Sequence, residues 1–260
     1  MKRGWGRILA LVLIGLVMLT GVASAQAGER VRNGGFEEGF VEGVGVGWTS
    51  FNNGGDIAYG FRSDEWDPAV FEGQFSQLIN MHTTSVGGSQ KDRYAGIYQV
   101  VDVVPNARYM FSLYGLVRST EGTEGQSSYN YRVEVGFDFD GGTDPWSVTE
   151  WIEMDRWREH PMDRPGRFDS FARGVTATSN KLTIFVRVWK KFPTVGESAV
   201  VNLDAISLLG PAPVGVAPAV AVDVPMLPET GVTNVLPFLG LGLGLLGAGL
   251  TGRRLLSARR

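Results

Sequence analysis

The side chains best suited to hold a ligand alternate with apolar ones along short segments. In residues 182–189, Leu182, Ile184, Val186 and Val188 point one way, and Thr183, Phe185, Arg187 and Trp189 point the other. Tyr114 with Arg118, and Arg132 with Glu134, alternate in the same manner onto the non-core faces of their segments. Aromatic rings offer stacking area and planar charged groups fix orientation, a combination that suits sugar rings. If these segments share a sheet, they form one polar and aromatic surface; the alternative is that a second layer covers that face. Loops add further candidates. Asp64, Glu65, Trp66 and Asp67 make an acidic and aromatic loop, and Asp92 and Arg93 precede Tyr94. The stretch from Asp138 to Trp157 is densest, with Trp146 among four acids around Gly141-Gly142.

Catalytic chemistry is harder to assemble. Asp138 and Asp140 share a strand face, but a glycosidase needs two carboxyls at a set separation and no sandwich-glycosidase strand pattern accompanies them. His82 and His160 come without metal-ligand spacing, the chain has no cysteine, and its glycine clusters lack the Lys-Ser/Thr ending of a phosphate loop. A glycoside hydrolase is therefore the less favoured reading.

The elements that must position these residues read as all-β. The clearest strands are 182–189 and 129–138, the latter with Tyr129, Tyr131, Val133, Val135 and Phe137 on one face. Further strands are expected at 47–52, 56–61, 75–82, 96–103, 108–118, 168–176 and 200–208, separated by turn signals such as Asn53-Gly54-Gly55, Pro105-Asn106 and Pro165-Gly166. Nine or ten strands without a disulfide favour an antiparallel jelly-roll β-sandwich over residues 26–210.

The termini differ in kind. Lys2, Arg3 and Arg7, an apolar run from Ile8 to Leu19 and Ala23-Ser24-Ala25 make a signal peptide over 1–25, cut between Ala25 and Gln26. Residues 211–226, with Pro211, Pro213, Pro218 and Pro225, form an extended linker. An uncharged apolar run over 235–250 then precedes Arg253, Arg254, Arg259 and Arg260; at about 1.5 Å per residue it makes a short hydrophobic anchor helix. These arginines hold to the cytoplasmic side, as a transient or permanent membrane span. The segments 1–27 and 232–260 hold seven of the 24 basic residues and no acid, leaving 17 against 27 acids between them, a formal charge of −10. So acidic a domain is unsuited to nucleic acid and compatible with divalent cations.

Two resemblances sharpen this reading. Leu227-Pro228-Glu229-Thr230-Gly231, followed by the apolar run and the arginines at 227–260, resembles the LPxTG cell-wall sorting signal of sortase substrates. That resemblance implies cleavage between Thr230 and Gly231, transfer of Thr230 to a cell-wall or envelope amine acceptor, and a cell-surface location; an uncut membrane anchor is the alternative. The segments Asn33-Gly34-Gly35-Phe36-Glu37, Tyr98 to Val103 and Asn202 to Leu208 resemble galactose-binding-like jelly rolls, nearest the carbohydrate-binding modules of families 4 and 9. This likeness implies non-catalytic binding of an extracellular glycan and a structural calcium held by Glu37 and Asp204. The usual closing motif has two adjacent acids, whereas Leu203 precedes Asp204 here. A structural or adhesive surface protein with a protein partner is the alternative function.

Overall fold

The computed structural model describes residues 27–83, 91–120, 130–196 and 198–213. The signal peptide with Ala25 and Gln26, most of the linker, the sorting motif Leu227 to Gly231 and the apolar run 235–250 lie outside the described residues. By its contacts the chain divides into residues 1–222 and 223–260, and the described residues all lie in the first. Among the described residues no helix is long and apolar enough to cross a membrane.

Fourteen strands follow in order: β1 (Ala27–Glu29), β2 (Phe40–Val41), β3 (Val44–Gly45), β4 (Thr49–Asn52), β5 (Ala58–Asp64), β6 (Ser76–His82) and β7 (Arg93–Asp102), then β8 (Arg108–Ser119), β9 (Tyr131–Asp138), β10 (Trp151–Glu153), β11 (Glu159–Pro161), β12 (Asp169–Thr176), β13 (Lys181–Lys190) and β14 (Ser198–Pro211). Among the described residues a single 3-10 turn, Asp67–Ala69, interrupts them. They build a sandwich. One sheet has five strands in the order β10-β9-β13-β7-β4; the other has seven, β11-β8-β14-β6-β5 with β1 beside β14 and β12 beside β8. Pairing is antiparallel apart from β11 on β8.

The core is the set of inward positions from both sheets. Leu182, Ile184, Val186 and Val188 of β13 join Val133 and Val135 of β9 and Ile97 of β7; Phe111, Leu113 and Val117 of β8, Val201 and Leu203 of β14, and Ile79 and Met81 of β6 meet them from the other sheet. In register, Val186 stands between Val135 and Ile97, so strict alternation on three neighbouring strands gives one continuous apolar face. Gln99 is the polar member of this layer. It accepts from Arg32 N at 2.7 Å and donates to Arg32 O and Gly47 O, which satisfies its amide inside the protein.

Strand β14 breaks its own alternation. The register on β8 shifts between Asp204 and Ser207, and Ala205 takes a φ of 46°. The extra residue lets Leu203 point inward on one side of the bulge and Ile206 and Leu208 on the other. It also fixes Asp204 beside the loop 71–75, facing away from the core.

Candidate ligand-binding faces

The outer face of the five-stranded sheet carries an aromatic layer because two strand-interior glycines make room for it. Gly136 of β9 and Gly96 of β7 flank Phe185 and Arg187 in register. A Cβ on Gly136 would lie 2.8 Å from Val148 and 3.1 Å from Trp151, and one on Gly96 would lie 2.6 Å from Phe51. The rings of Phe51 and Trp151 therefore rest against the sheet itself. Phe185 lies beneath them, with centroids 6.1 Å from Phe51, 5.3 Å from Tyr98 and 6.2 Å from Trp151.

Arg187 stands at the centre of this layer. Its guanidinium lies 4.0 Å from the Tyr94 ring centroid and 3.6 Å from that of Trp151, and Nε donates to Glu134 Oε2 at 2.7 Å. Burial lowers the Arg187 pKa despite the Glu134 carboxylate, and burial raises that of Glu134 despite Arg187. Around the pair, Arg132 and Lys191 both reach Glu153, at 3.2 and 3.1 Å. Lys191 also lies 4.4 Å over the Trp189 ring, and Trp189 Nε1 donates to Asp92 Oδ1 at 3.0 Å.

Tyr94 links the charged centre to the surface. It stacks on Trp189 at 6.2 Å and 22°, and meets Trp146 at 6.1 Å. Trp146 is 51% exposed and stands edge-on to Phe51. Asp144 Oδ1 accepts from Trp146 N at 3.0 Å, fixing the loop that presents the ring. Trp146, Tyr94 and Trp189 thus form a row of aromatic surface beside matched charges, which can stack a sugar ring and orient its hydroxyls.

The expected single surface is corrected in two respects. Tyr94, Arg132, Glu134, Trp146, Phe185, Arg187 and Trp189 do come together, with Phe185 and Arg132 buried beneath the outer layer. Tyr114 and Arg118 lie on β8, in the other sheet, and Trp66 joins them there. Alternation reports which face of a strand is polar and is silent on which sheet that strand enters. Phe51, Tyr98, Trp151 and Glu153 complete the face without having been singled out as ligand-binding. The lone glycines inside β7 and β9 were the available signal.

The acidic stretch after Asp138 serves the backbone. Asp138 Oδ1 accepts from Asp140 N and Gly142 N, both at 2.9 Å, the side-chain-to-backbone bonding that makes a turn. His82 contacts Ser198 Oγ through Nδ1, and His160 is half-buried with its pKa lowered by burial.

Glu37 and Asp204 are brought to one loop, together with a third acid that the sequence did not mark. Glu37 Oε1 accepts from Gln74 N and Phe75 N at 2.8 and 2.9 Å. Asp204 Oδ2 accepts from Phe71 N and Glu72 N, and Oδ1 from Ala205 N at 2.7 Å. Burial nevertheless pushes Asp204 up to about 7, with Glu72 adding to the rise. Glu72 is itself raised, by burial and then by Glu37, and its buried Oε1 has no hydrogen-bond partner among the described residues. An orphaned carboxylate oxygen among acids fits a hard cation in donor chemistry. Among the described residues no three His, Cys, Asp or Glu side chains converge closely enough to hold an ion by themselves.

Fold and site together define a β-sandwich with an aromatic and charged outer face. No family model matches the chain, and no curated protein matches it. Among solved structures, TmCBM61 in complex with β-1,4-galactotriose is similar at 12% identity and a TM-score of 0.40, over 69% of this chain and 97% of that one. A structure described as "CBM4 structure and function" shares 12% identity with a TM-score of 0.37, over 69% and 99%. The K1 cleaved adhesin domain of Lys-gingipain from Porphyromonas gingivalis shares 13% identity with a TM-score of 0.43, over 72% and 99%. Likenesses this distant identify no ligand, and the reading that follows rests on the side chains.

Proposed function

We propose that this chain is an exported, surface-held protein whose sandwich, a galactose-binding-like jelly roll, binds an extracellular glycan without catalysis. The observation that carries the reading is the half-exposed Trp146, joined through Tyr94 to a buried arginine clamped by two rings and a carboxylate. Stacking supplies contact area and the clamped charges supply fixed hydrogen-bonding directions. A glycan array tests it, with β-1,4-galactotriose, xylan, glucan and mannan oligosaccharides among the probes. Saturable binding to a saccharide class is the expected result. Binding to none of them sinks the reading and turns the search toward a protein partner.

A structural calcium at Glu37, Glu72 and Asp204 belongs to the same proposal. Backbone carbonyls and water would have to complete the ligand set, since the three carboxylates do not converge closely enough to hold the ion by themselves. Calcium is expected to raise the melting temperature, and EDTA to lower it, by several degrees, as binding to the native state alone requires. The pH dependence in EDTA has a defined sign. Asp204 is held near 7 in the fold against an ordinary value of 3.8, so the folded state binds the extra proton and stability falls as pH rises from about 4 to about 7. Glu72→Gln should lose the calcium response. Identical melts in calcium and EDTA across that range would remove the ion from the account.

The ends of the chain carry the rest of the proposal: a signal peptide at 1–25, a linker at 211–226 and sortase transfer of Thr230 to an envelope amine. Deleting residues 227–231 is expected to shift the protein from the cell-wall fraction to the membrane fraction, with the 235–250 run still attached. Membrane recovery of both forms, with intact C-termini by mass spectrometry, would leave an uncut anchor in its place.

A further inference from the structure

The outer face of the seven-stranded sheet repeats the chemistry of the first face with different residues. Arg118 of β8 is 7% exposed, as Arg187 is 8% exposed on the other sheet. Its Nη2 donates to Asn202 Oδ1 at 2.8 Å and lies 3.5 Å from Asp64 Oδ2. Asn202 is held in turn, donating to Asp64 Oδ2 and to Ser76 Oγ, both at 2.9 Å. Above the guanidinium, 4.9 Å from its centre, lies the ring of Trp66, 42% exposed. Thus each face has a buried arginine, a fixed acid, and a tryptophan open to solvent.

The arrangement carries a cost to the fold. Burial disfavours the charge on Arg118 in spite of Asp64, and its buried Nε has no hydrogen-bond partner among the described residues. Trp66 is held in place from both sides: Asp64 Oδ1 accepts from its N–H at 3.1 Å, and the 3-10 turn Asp67–Ala69 follows at once. Elsewhere on the same strand as Arg118, Tyr114 stacks on Phe71 at 3.7 Å and 15°.

We infer that Trp66 and Arg118 centre a second saccharide site, so that one sandwich holds a glycan on each of its two opposite outer faces. The inference rests on the glycan reading of the first face. The charge pattern selects the ligand class. Glu65 and Asp67 flank Trp66 in exposed positions and disfavour an acidic sugar in spite of Arg62 and Arg118, while Asp64 Oδ1, which takes one hydrogen bond from the Trp66 N–H, keeps a lone pair for a hydroxyl; the ligand is a neutral saccharide. Two sites on opposite faces let one domain bridge two polysaccharide chains, and a polysaccharide engaged at both gains through effective concentration.

Native gels cast with β-1,4-galactan, xylan or mixed-linkage glucan test this on the full chain and on Trp66→Ala, Trp146→Ala and the double variant, each checked by its melting temperature. The wild type should be retarded by at least one neutral polysaccharide. Each single variant should bind about tenfold more weakly through lost avidity, and the double variant should run unretarded. Retardation of Trp66→Ala equal to wild type, with Trp146→Ala unretarded, overturns the second site and leaves the first. The converse pattern removes the first site and leaves the second. No retardation of the wild type in any gel overturns both.

Discussion

Trp146→Ala, made in the Trp66→Ala background so that the opposite face does not contribute, is expected to weaken glycan binding by about 30-fold or more, the loss typical of a central aromatic anchor, while the melting temperature stays within about a degree of its parent. The two halves of that expectation come from one fact: half of the Trp146 surface faces solvent, and the ring touches the protein chiefly through Phe51 and Tyr94 at its edges. Removing it opens no cavity in the core. Trp151→Ala provides the contrast. That ring covers Arg187 at 3.6 Å and packs on Phe185, so its loss should cost both binding and about 2 kcal/mol of stability, less than for a fully buried ring because Trp151 is only partly buried. Isothermal titration with the strongest array saccharide, alongside thermal melts, separates the two variants. Unchanged affinity in Trp146→Ala would remove the row Trp146, Tyr94, Trp189 as a binding platform.

Much of the sandwich is legible in the sequence, for a definable reason. Strands β9 and β13 alternate cleanly because each has one face in the core and one under a polar layer, and period two survives when the two faces differ. Strand β14 was legible only in part: its bulge at Ala205 reverses which residues point inward, and nothing local distinguishes Asp204-Ala205-Ile206 from regular alternation. The three-residue strands β10 and β11 are too short to show any period. Both are set by what they lie against, Trp151 over Gly136 and Glu159 beside Ser119.

The site divides in the same way. Arg187, Glu134, Tyr94 and Trp189 could be found because charge and aromatic rings at alternate positions are unusual in a strand that must also build a core. Their pairing could not be found, since it depends on β13 lying between β7 and β9. Trp66, Tyr114 and Arg118 show the limit of such reasoning. The same residue types in the same alternation mark the other sheet, so one apparent surface is two. Glu72 stayed hidden because an acid in a loop carries no signal until Glu37 and Asp204 are folded against it.

Glu134→Ala should destabilise the domain by about 3–5 kcal/mol, because it leaves the Arg187 charge buried without its counterion. The side chains are only 7% and 9% exposed and 2.7 Å apart, so solvent cannot take over the missing charge. Stability alone does not explain why the pair is there. Burial raises the Glu134 pKa and lowers that of Arg187 even with the partner in place, which means each charge is less favourable in the fold than in water. Replacing both together, as Glu134→Leu with Arg187→Met, should therefore recover most of the loss, since a well-packed apolar pair is often as stable as a buried ion pair. Binding should not return with it. The thioether chain of Arg187→Met would fill the space between Tyr94 and Trp151 but offer no donor fixed against a sugar hydroxyl. Chemical denaturation of the two single variants and the double, with affinity measured on each, checks both expectations. Wild-type affinity in the double variant would show that the clamp serves packing alone; a cost below about 1 kcal/mol for Glu134→Ala would show that the pair behaves as an exposed one in solution.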